Sequence, residues 1–200
     1  MPPVRLLHRW FFPATFAGRD RVPDGPVVVA ANHFSHLDPV LAGLAVDRPI
    51  RYLAVDELFG NSVFFDRLTL WLGAIPMSRT RTPLGALRVA LAELAAGGTV
   101  GLHPEGVRVW SWGEERPRPG AAWLARRAGV PLLPVAIAGS DQALGRGARR
   151  ISRRPVHVTI GEPILPADFD AAADPAQAMM DQWGRCIDAA LQEIYGDEGA

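Results

Sequence analysis

Two residues that follow an apolar run are of the types that move protons. Val27-Val28-Val29-Ala30-Ala31 leads into Asn32-His33-Phe34-Ser35-His36-Leu37-Asp38-Pro39. An imidazole held by a carboxylate is a general base with an orienting acid. The acid fixes the ring tautomer and stabilises the imidazolium formed when the other nitrogen takes a proton. With an ordinary pKa of about 6.5, His33 can be neutral at working pH. A second candidate stretch is Pro104-Glu105-Gly106-Val107-Arg108. Its glycine lets the backbone approach a bound anion, and its guanidinium neutralises the charge. Glu105 either anchors that loop or accepts from a substrate hydroxyl; both readings stand.

The elements around these residues decide whether they can meet. Five residues along one continuous helix would place His33 and Asp38 on different faces. A strand over Val27–Ala31, a turn, and a helix opening at Asp38-Pro39 instead let the carboxylate fold back onto the imidazole. On this reading Asp38 is the helix N-cap, and Val40, Leu41 and Leu44 face the core. Further strands are read at 51–55, briefly within 73–79, at 99–103, within 129–137 and at 156–160. Helices are read at about 62–72, from Thr82-Pro83 through Leu94, through Trp123 and Ala128, and over 174–195. This alternation predicts a single α/β domain with a largely parallel, mixed central sheet and helices on both faces. Pro131 and Pro134 are expected at the start of their strand or at an irregularity.

Composition narrows the function classes. Two hundred residues, 48% of them hydrophobic, suit one globular domain. The single Cys186 excludes an internal disulfide framework and fits a reducing compartment. No apolar run approaches the roughly 18 residues of a membrane span, and Arg5, Arg9 and Pro13 interrupt any signal peptide. Charge is balanced in total but not along the chain. Residues 1–161 hold 20 Arg and 12 acids, whereas 162–200 hold 1 Arg and 9 acids. Residues 1–23 form an amphipathic segment in which Leu6, Leu7, Trp10 and Phe11 recur at near-helical spacing between Arg5 and Arg9. It reads either as a helix in a membrane interface or as one packed on the domain's own core. Residues 24–200 then make up the main domain.

Other chemistries have weaker signals. There is no Gly-x-Ser-x-Gly elbow and no phosphate loop with a following Lys. His33, His36 and Asp38 could ligate zinc, but no second ligand group follows at a supporting spacing, so no metal is expected. Arg146, Arg149, Arg150, Arg153 and Arg154 form a cluster without interleaved aromatics. That pattern argues against nucleic acid and leaves an anionic membrane surface or a solvated loop. Trp110 and Trp112 suit an acyl channel, a membrane interface or a core.

Taken in order, four blocks resemble the PlsC-type glycerolipid acyltransferases, the 1-acyl-sn-glycerol-3-phosphate (lysophosphatidic acid) acyltransferases. Asn32-His33-x4-Asp38-Pro39 resembles their His-x4-Asp signature. Gly73 followed by Arg79 resembles their second block, and Pro104-Glu105-Gly106-Val107-Arg108 their Phe-Pro-Glu-Gly-Thr-Arg, with His103 and Val107 in place of the Phe and Thr. Val130-Pro131-Leu132-Leu133-Pro134-Val135 resembles the fourth.

The resemblance implies the same α/β architecture and a reaction that moves a fatty acyl group to 1-acyl-glycerol-3-phosphate, giving phosphatidic acid. The donor would be acyl-CoA or acyl-carrier protein. Another lysophospholipid, a glycolipid or a lipid-like acceptor is the alternative. It implies His33 and Asp38 as the catalytic pair. Arg79, Arg108, Glu105, Gly106 and Arg118, the basic residue before the next helix, would bind the acceptor's phosphate. It implies no resident cofactor, the acyl donor being a co-substrate, and a cytoplasmic protein lying on the inner face of the membrane.

Overall fold

The computed structural model describes residues 13–55, 73–77, 84–148 and 150–197. Seven strands form one sheet: β1 (Ala14–Ala17), β2 (Val27–Ala31), β3 (Arg51–Val55), β4 (Ile75–Met77), β5 (Thr99–Leu102), β6 (Leu132–Ala138) and β7 (Val156–Ile160). Their order is β1-β7-β6-β2-β5-β3-β4. Every neighbouring pair is parallel except β6 and β7, so β1 and β7 run against the rest. Among the described residues five α-helices accompany them: α1 (Asp38–Val46), α2 (Leu84–Ala95), α3 (Gly120–Ala128), α4 (Ser140–Leu144) and α5 (Pro175–Asp197). The expected α/β domain with a mostly parallel sheet is what forms.

Central strand β2 shows why both sheet faces are covered. Successive side chains point to opposite faces, and all five of its residues are buried. Val28 and Ala30 join Leu94 of α2, Leu124 of α3 and Met179, Trp183 and Ile187 of α5 in one core. Val27, Val29 and Ala31 join Leu41 and Ala45 of α1 with Val156, Val158 and Ile160 in the other. A continuous apolar run, rather than an alternating one, is the mark of a strand buried on both sides.

Three expectations need correction. Residues 14–17, part of the segment read as helical, form edge strand β1, paired with β7 from Ala14↔Val156 to Ala17↔Thr159. Their alternating burial is strand-like, and residues 1–12 lie outside the described residues. The helix read at 62–72 also lies outside them. Asp38 is not the N-cap. Leu37 holds that position, at φ −78° and ψ −21°, and Asp38 opens α1 with its carboxylate turned back toward the preceding turn. Pro134 sits inside β6, opposite Gly161 just past the end of β7, where its carbonyl accepts the Gly161 N–H at 2.9 Å. Because the β6–β7 ladder begins only at Val135↔Ile160, its missing N–H costs no ladder bond there.

Candidate active site

The site lies where β2 and β5 end side by side. In register these parallel strands pair Val27↔Thr99 through Ala30↔Leu102, so the residues after Ala31 and after Leu102 leave the sheet together. Asn32 secures the first of these exits. Its buried side chain donates to the Ile137 carbonyl at 2.8 Å and accepts the Ile137 N–H at 2.7 Å, joining it to β6. The loop after β5 then grips His33 at both ends of its peptide unit. The His33 N–H donates to Glu105 Oε1 at 3.1 Å, and the His33 carbonyl accepts the Val109 N–H at 2.9 Å.

His33 Nδ1 lies 2.9 Å from Asp38 Oδ2. The same oxygen accepts the N–H groups of Phe34 and Ser35, each at 2.7 Å. Those bonds explain the place of Asp38 in its helix. An N-cap carboxylate reaches forward to amides in the first turn, whereas this one reaches back to close the turn that brings His33 over it. Asp38 is wholly buried, and the His33 side chain keeps 15% exposure. With Nδ1 bonded to the acid, Nε2 is the ring nitrogen left to take a proton. Burial, reinforced by the charge of Arg108 and by His36, holds the His33 pKa down at about 3, so the ring is neutral and able to accept a proton. Burial pushes Asp38 up to about 6, still ionised at neutral pH.

A second imidazole backs the first. His103 stacks on His33 with ring centroids 3.9 Å apart and planes 10° from parallel, and Tyr52 stacks on its far side at 5.2 Å. His103 Nδ1 lies 3.0 Å from the Ala31 carbonyl, so it carries the hydrogen and donates. Burial first, then His33, lowers the His103 pKa to about 3, which keeps the stacked neighbour of the base uncharged. The three rings fix the plane of His33. Sequence alone shows His103 only as a replacement for an aromatic residue; the register of β2 and β5 is what sets it against His33.

Around the dyad the loop residues divide. Glu105 is buried, and its bond to the His33 N–H makes it an anchor of the loop. Burial raises its pKa to about 7. Gly106 has φ +71°, a conformation that favours glycine. A Cβ there would meet the Arg118 guanidinium at 3.4 Å, so Arg118 lies against it, with its own N–H bonded to the Pro104 carbonyl at 2.9 Å. Arg108 is half-buried, and its charge acts on His33, His36 and Asp38. The structure thus brings His33, Asp38, Glu105, Gly106, Arg108 and Arg118 to one end of the sheet. Arg79 lies outside the described residues.

Val107 packs against the apolar core. Trp112 does likewise, edge-on to Trp183 at 5.5 Å, with its Nε1 donating to Asp188. Trp110 is 63% exposed. His36 is exposed, and among the described residues no three His, Cys, Asp or Glu side chains converge as ligands of one metal ion would.

Known proteins place this geometry in context. The chain is 30% identical over 161 residues to a probable 1-acyl-sn-glycerol-3-phosphate acyltransferase of Mycoplasma genitalium, covering 74% of this chain and 60% of that protein. It is 25% identical over 172 residues to a chloroplast 1-acyl-sn-glycerol-3-phosphate acyltransferase of Brassica napus, covering 84% and 49%. It therefore spans between about half and three fifths of the length of these curated relatives. The crystal structure of PlsC from Thermotoga maritima, a 1-acyl-sn-glycerophosphate acyltransferase, superposes with a TM-score of 0.74 at 24% identity. The match covers 94% of this chain and 76% of that one, and it shows a shared fold. The Acyltransferase family profile matches residues 14–138. That stretch holds both the turn that closes Asp38 onto His33 and the loop that grips His33 from β5, and by it the chain belongs to the Acyltransferase family.

Proposed function

We propose that this protein transfers a fatty acyl group from a thioester donor to the free hydroxyl of 1-acyl-sn-glycerol 3-phosphate, giving phosphatidic acid for phospholipid synthesis. The observation that carries the reading is the 2.9 Å contact between buried Asp38 and a neutral His33, with the charge of Arg108 beside it. In the reaction, His33 Nε2 takes the hydroxyl proton as the acceptor oxygen attacks the thioester carbonyl. The C–S bond then breaks, and the same proton passes from His33 to the departing thiolate. Asp38 holds the Nδ1–H and stabilises the imidazolium between the two transfers. Stacked, uncharged His103 leaves that imidazolium unopposed by a neighbouring cation.

Arg108 binds the acceptor's phosphate, joined by Arg118 over Gly106 and by Arg79. Anchoring the headgroup delivers its hydroxyl near His33, and such positioning can be a large part of the rate gain. Glu105 acts through the loop it anchors. The donor is acyl-CoA or acyl-carrier protein, used as a co-substrate, and the chemistry calls on no resident cofactor or metal. The relatives named for this activity support the reading. The alternative acceptor classes draw on Val107 and the Trp110/Trp112 pair; Val107 and Trp112 pack against the core, whereas Trp110 is exposed.

The protein is further proposed to work at the inner, cytoplasmic face of a membrane, where both lipids reside. Exposed Trp110 and the exposed arginines Arg150, Arg153 and Arg154 suit an anionic surface, and no helix among the described residues is long and apolar enough to cross a bilayer. Incubation with a labelled acyl-CoA and a panel of lysolipids, read by mass spectrometry, tests the assignment. Labelled phosphatidic acid is the expected product. Acylation confined to phosphate-free acceptors would reject it.

A further inference from the structure

We infer that Arg146 is a further specificity-determining residue, a second cation that acts with Arg108 on a phosphate monoester of the acceptor. The inference rests on the acyltransferase reading above and assigns a role to the stretch after α4.

The argument begins at Ser35, inside the turn that carries the dyad. Ser35 and Gly145 form an isolated antiparallel bridge, and the Ser35 hydroxyl donates to the Leu144 carbonyl at 2.5 Å. Gly145 admits no side chain there, because a Cβ would lie 2.3 Å from the Asp141 carbonyl oxygen. The backbone that enters Arg146 is thus tied to the residues between His33 and Asp38. The Arg146 guanidinium then stands over the Trp110 ring, 5.4 Å from its centroid, and Trp110 lies two residues beyond Arg108. A cation on an aromatic face is held in direction as well as place.

Arg146 is thereby brought onto the loop that carries Arg108. The charge of Arg146 adds to burial in lowering the Arg108 pKa, while Asp38 opposes it. Among the described residues neither guanidinium has an ion pair with a carboxylate. Of the acids nearby, Glu114 accepts the backbone N–H of Trp110 at 2.6 Å, one oxygen of Asp38 holds His33, and one oxygen of Glu105 holds the His33 amide. Neighbouring like charges repel, and an anion between them relieves that repulsion. A phosphate monoester, with close to two negative charges and three acceptor oxygens, suits two forked donors better than a singly charged diester does.

Phosphate monoesters occur twice in this reaction, on the glycerol of the acceptor and on the ribose of CoA. The ribose phosphate is separated from the reacting thioester by the whole pantetheine arm. The glycerol phosphate is on the same small molecule as the attacking hydroxyl, and Arg146 is tied to the turn that holds the base.

The test is steady-state thiol release by the whole protein with a short-chain, monomeric lysophosphatidic acid and acyl-CoA. Arg146→Gln should raise the acceptor KM ~10-fold, with kcat and the acyl-CoA KM within about twofold. Arg146→Lys should recover part of the loss, because it keeps the charge but not the fork. An unchanged acceptor KM overturns the proposal, and so does a rise in the acyl-CoA KM instead. A defect seen only with vesicle-borne acceptor, together with lost sedimentation on phosphatidylcholine–phosphatidylglycerol vesicles, would make Arg146 a surface anchor and also overturn it. Absence of turnover by the unaltered protein with lysophosphatidic acid would reject the proposed acceptor itself, which separates the two failures.

Discussion

The proposed proton-moving side of the site and its cation side are built by different means. His33 and Asp38 sit between a central strand and a helix. The His33 amide, carbonyl and Nδ1 are each bonded, and Asp38 Oδ2 accepts three donors. Arg108, Arg118 and Arg146 lie on loops, half-buried or exposed, held by a backbone bond, a glycine or an indole face. General-base chemistry needs a fixed lone pair and a fixed partner, which rigid elements supply. Headgroup recognition needs charge within reach, which guanidinium groups carried on loops can deliver. Mutations on the two sides should therefore fail differently, the first in turnover and the second in substrate binding.

The largest break in that contrast is His33→Ala. Turnover should fall by about 10³-fold or more, with little change in vesicle sedimentation. Retained turnover would remove the base from the mechanism. Next is Arg108→Gln, which should lower kcat/KM for lysophosphatidic acid by ~10- to 100-fold, mainly through KM. Acylation of an uncharged acceptor should change little; an equal loss on both would mean that Arg108 serves the dyad rather than the headgroup.

The smallest and sharpest test is the pH profile. Burial raises Glu105 to about 7 and Asp38 to about 6, so both take up protons above the usual carboxylate range. As pH falls through this window, Asp38 loses the charge that holds the His33 Nδ1–H, and kcat should fall with it. Glu105→Gln removes the upper of the two protonations and should move the acid limb of the kcat profile toward pH 6. A limb near pH 4 would show that neither carboxylate governs the base, and one near pH 6 that does not shift in the variant would leave Asp38 alone in that role.

Much of the scaffold was legible because its strands are chemically distinct. The run Val27–Ala31 is apolar without interruption, and helix α2 ends where Gly97-Gly98 stops its period. Strand β1 was not, because Ala14-Thr15-Phe16-Ala17 is short and lies at the sheet edge. Its strand state comes from β7, which is more than a hundred residues away. The helix-capping reading of Asp38 failed for a related reason. The local sequence offers the carboxylate amides ahead of it or behind it, and the fold of the turn chooses those behind.

By itself the sequence determined which groups could do the chemistry: one imidazole and one carboxylate across a strand-to-helix turn, and a Pro-Glu-Gly-Val-Arg loop after another strand. Side-chain type and short spacing are local properties, so a linear reading reaches them. Only the tertiary structure decided that His103 lies flat against His33, that Glu105 binds a backbone amide 72 residues away, and that Arg146 comes to stand over the Trp110 ring. Those three depend on strand register and on the Ser35–Gly145 bridge, contacts between distant parts of the chain whose energies no single stretch contains.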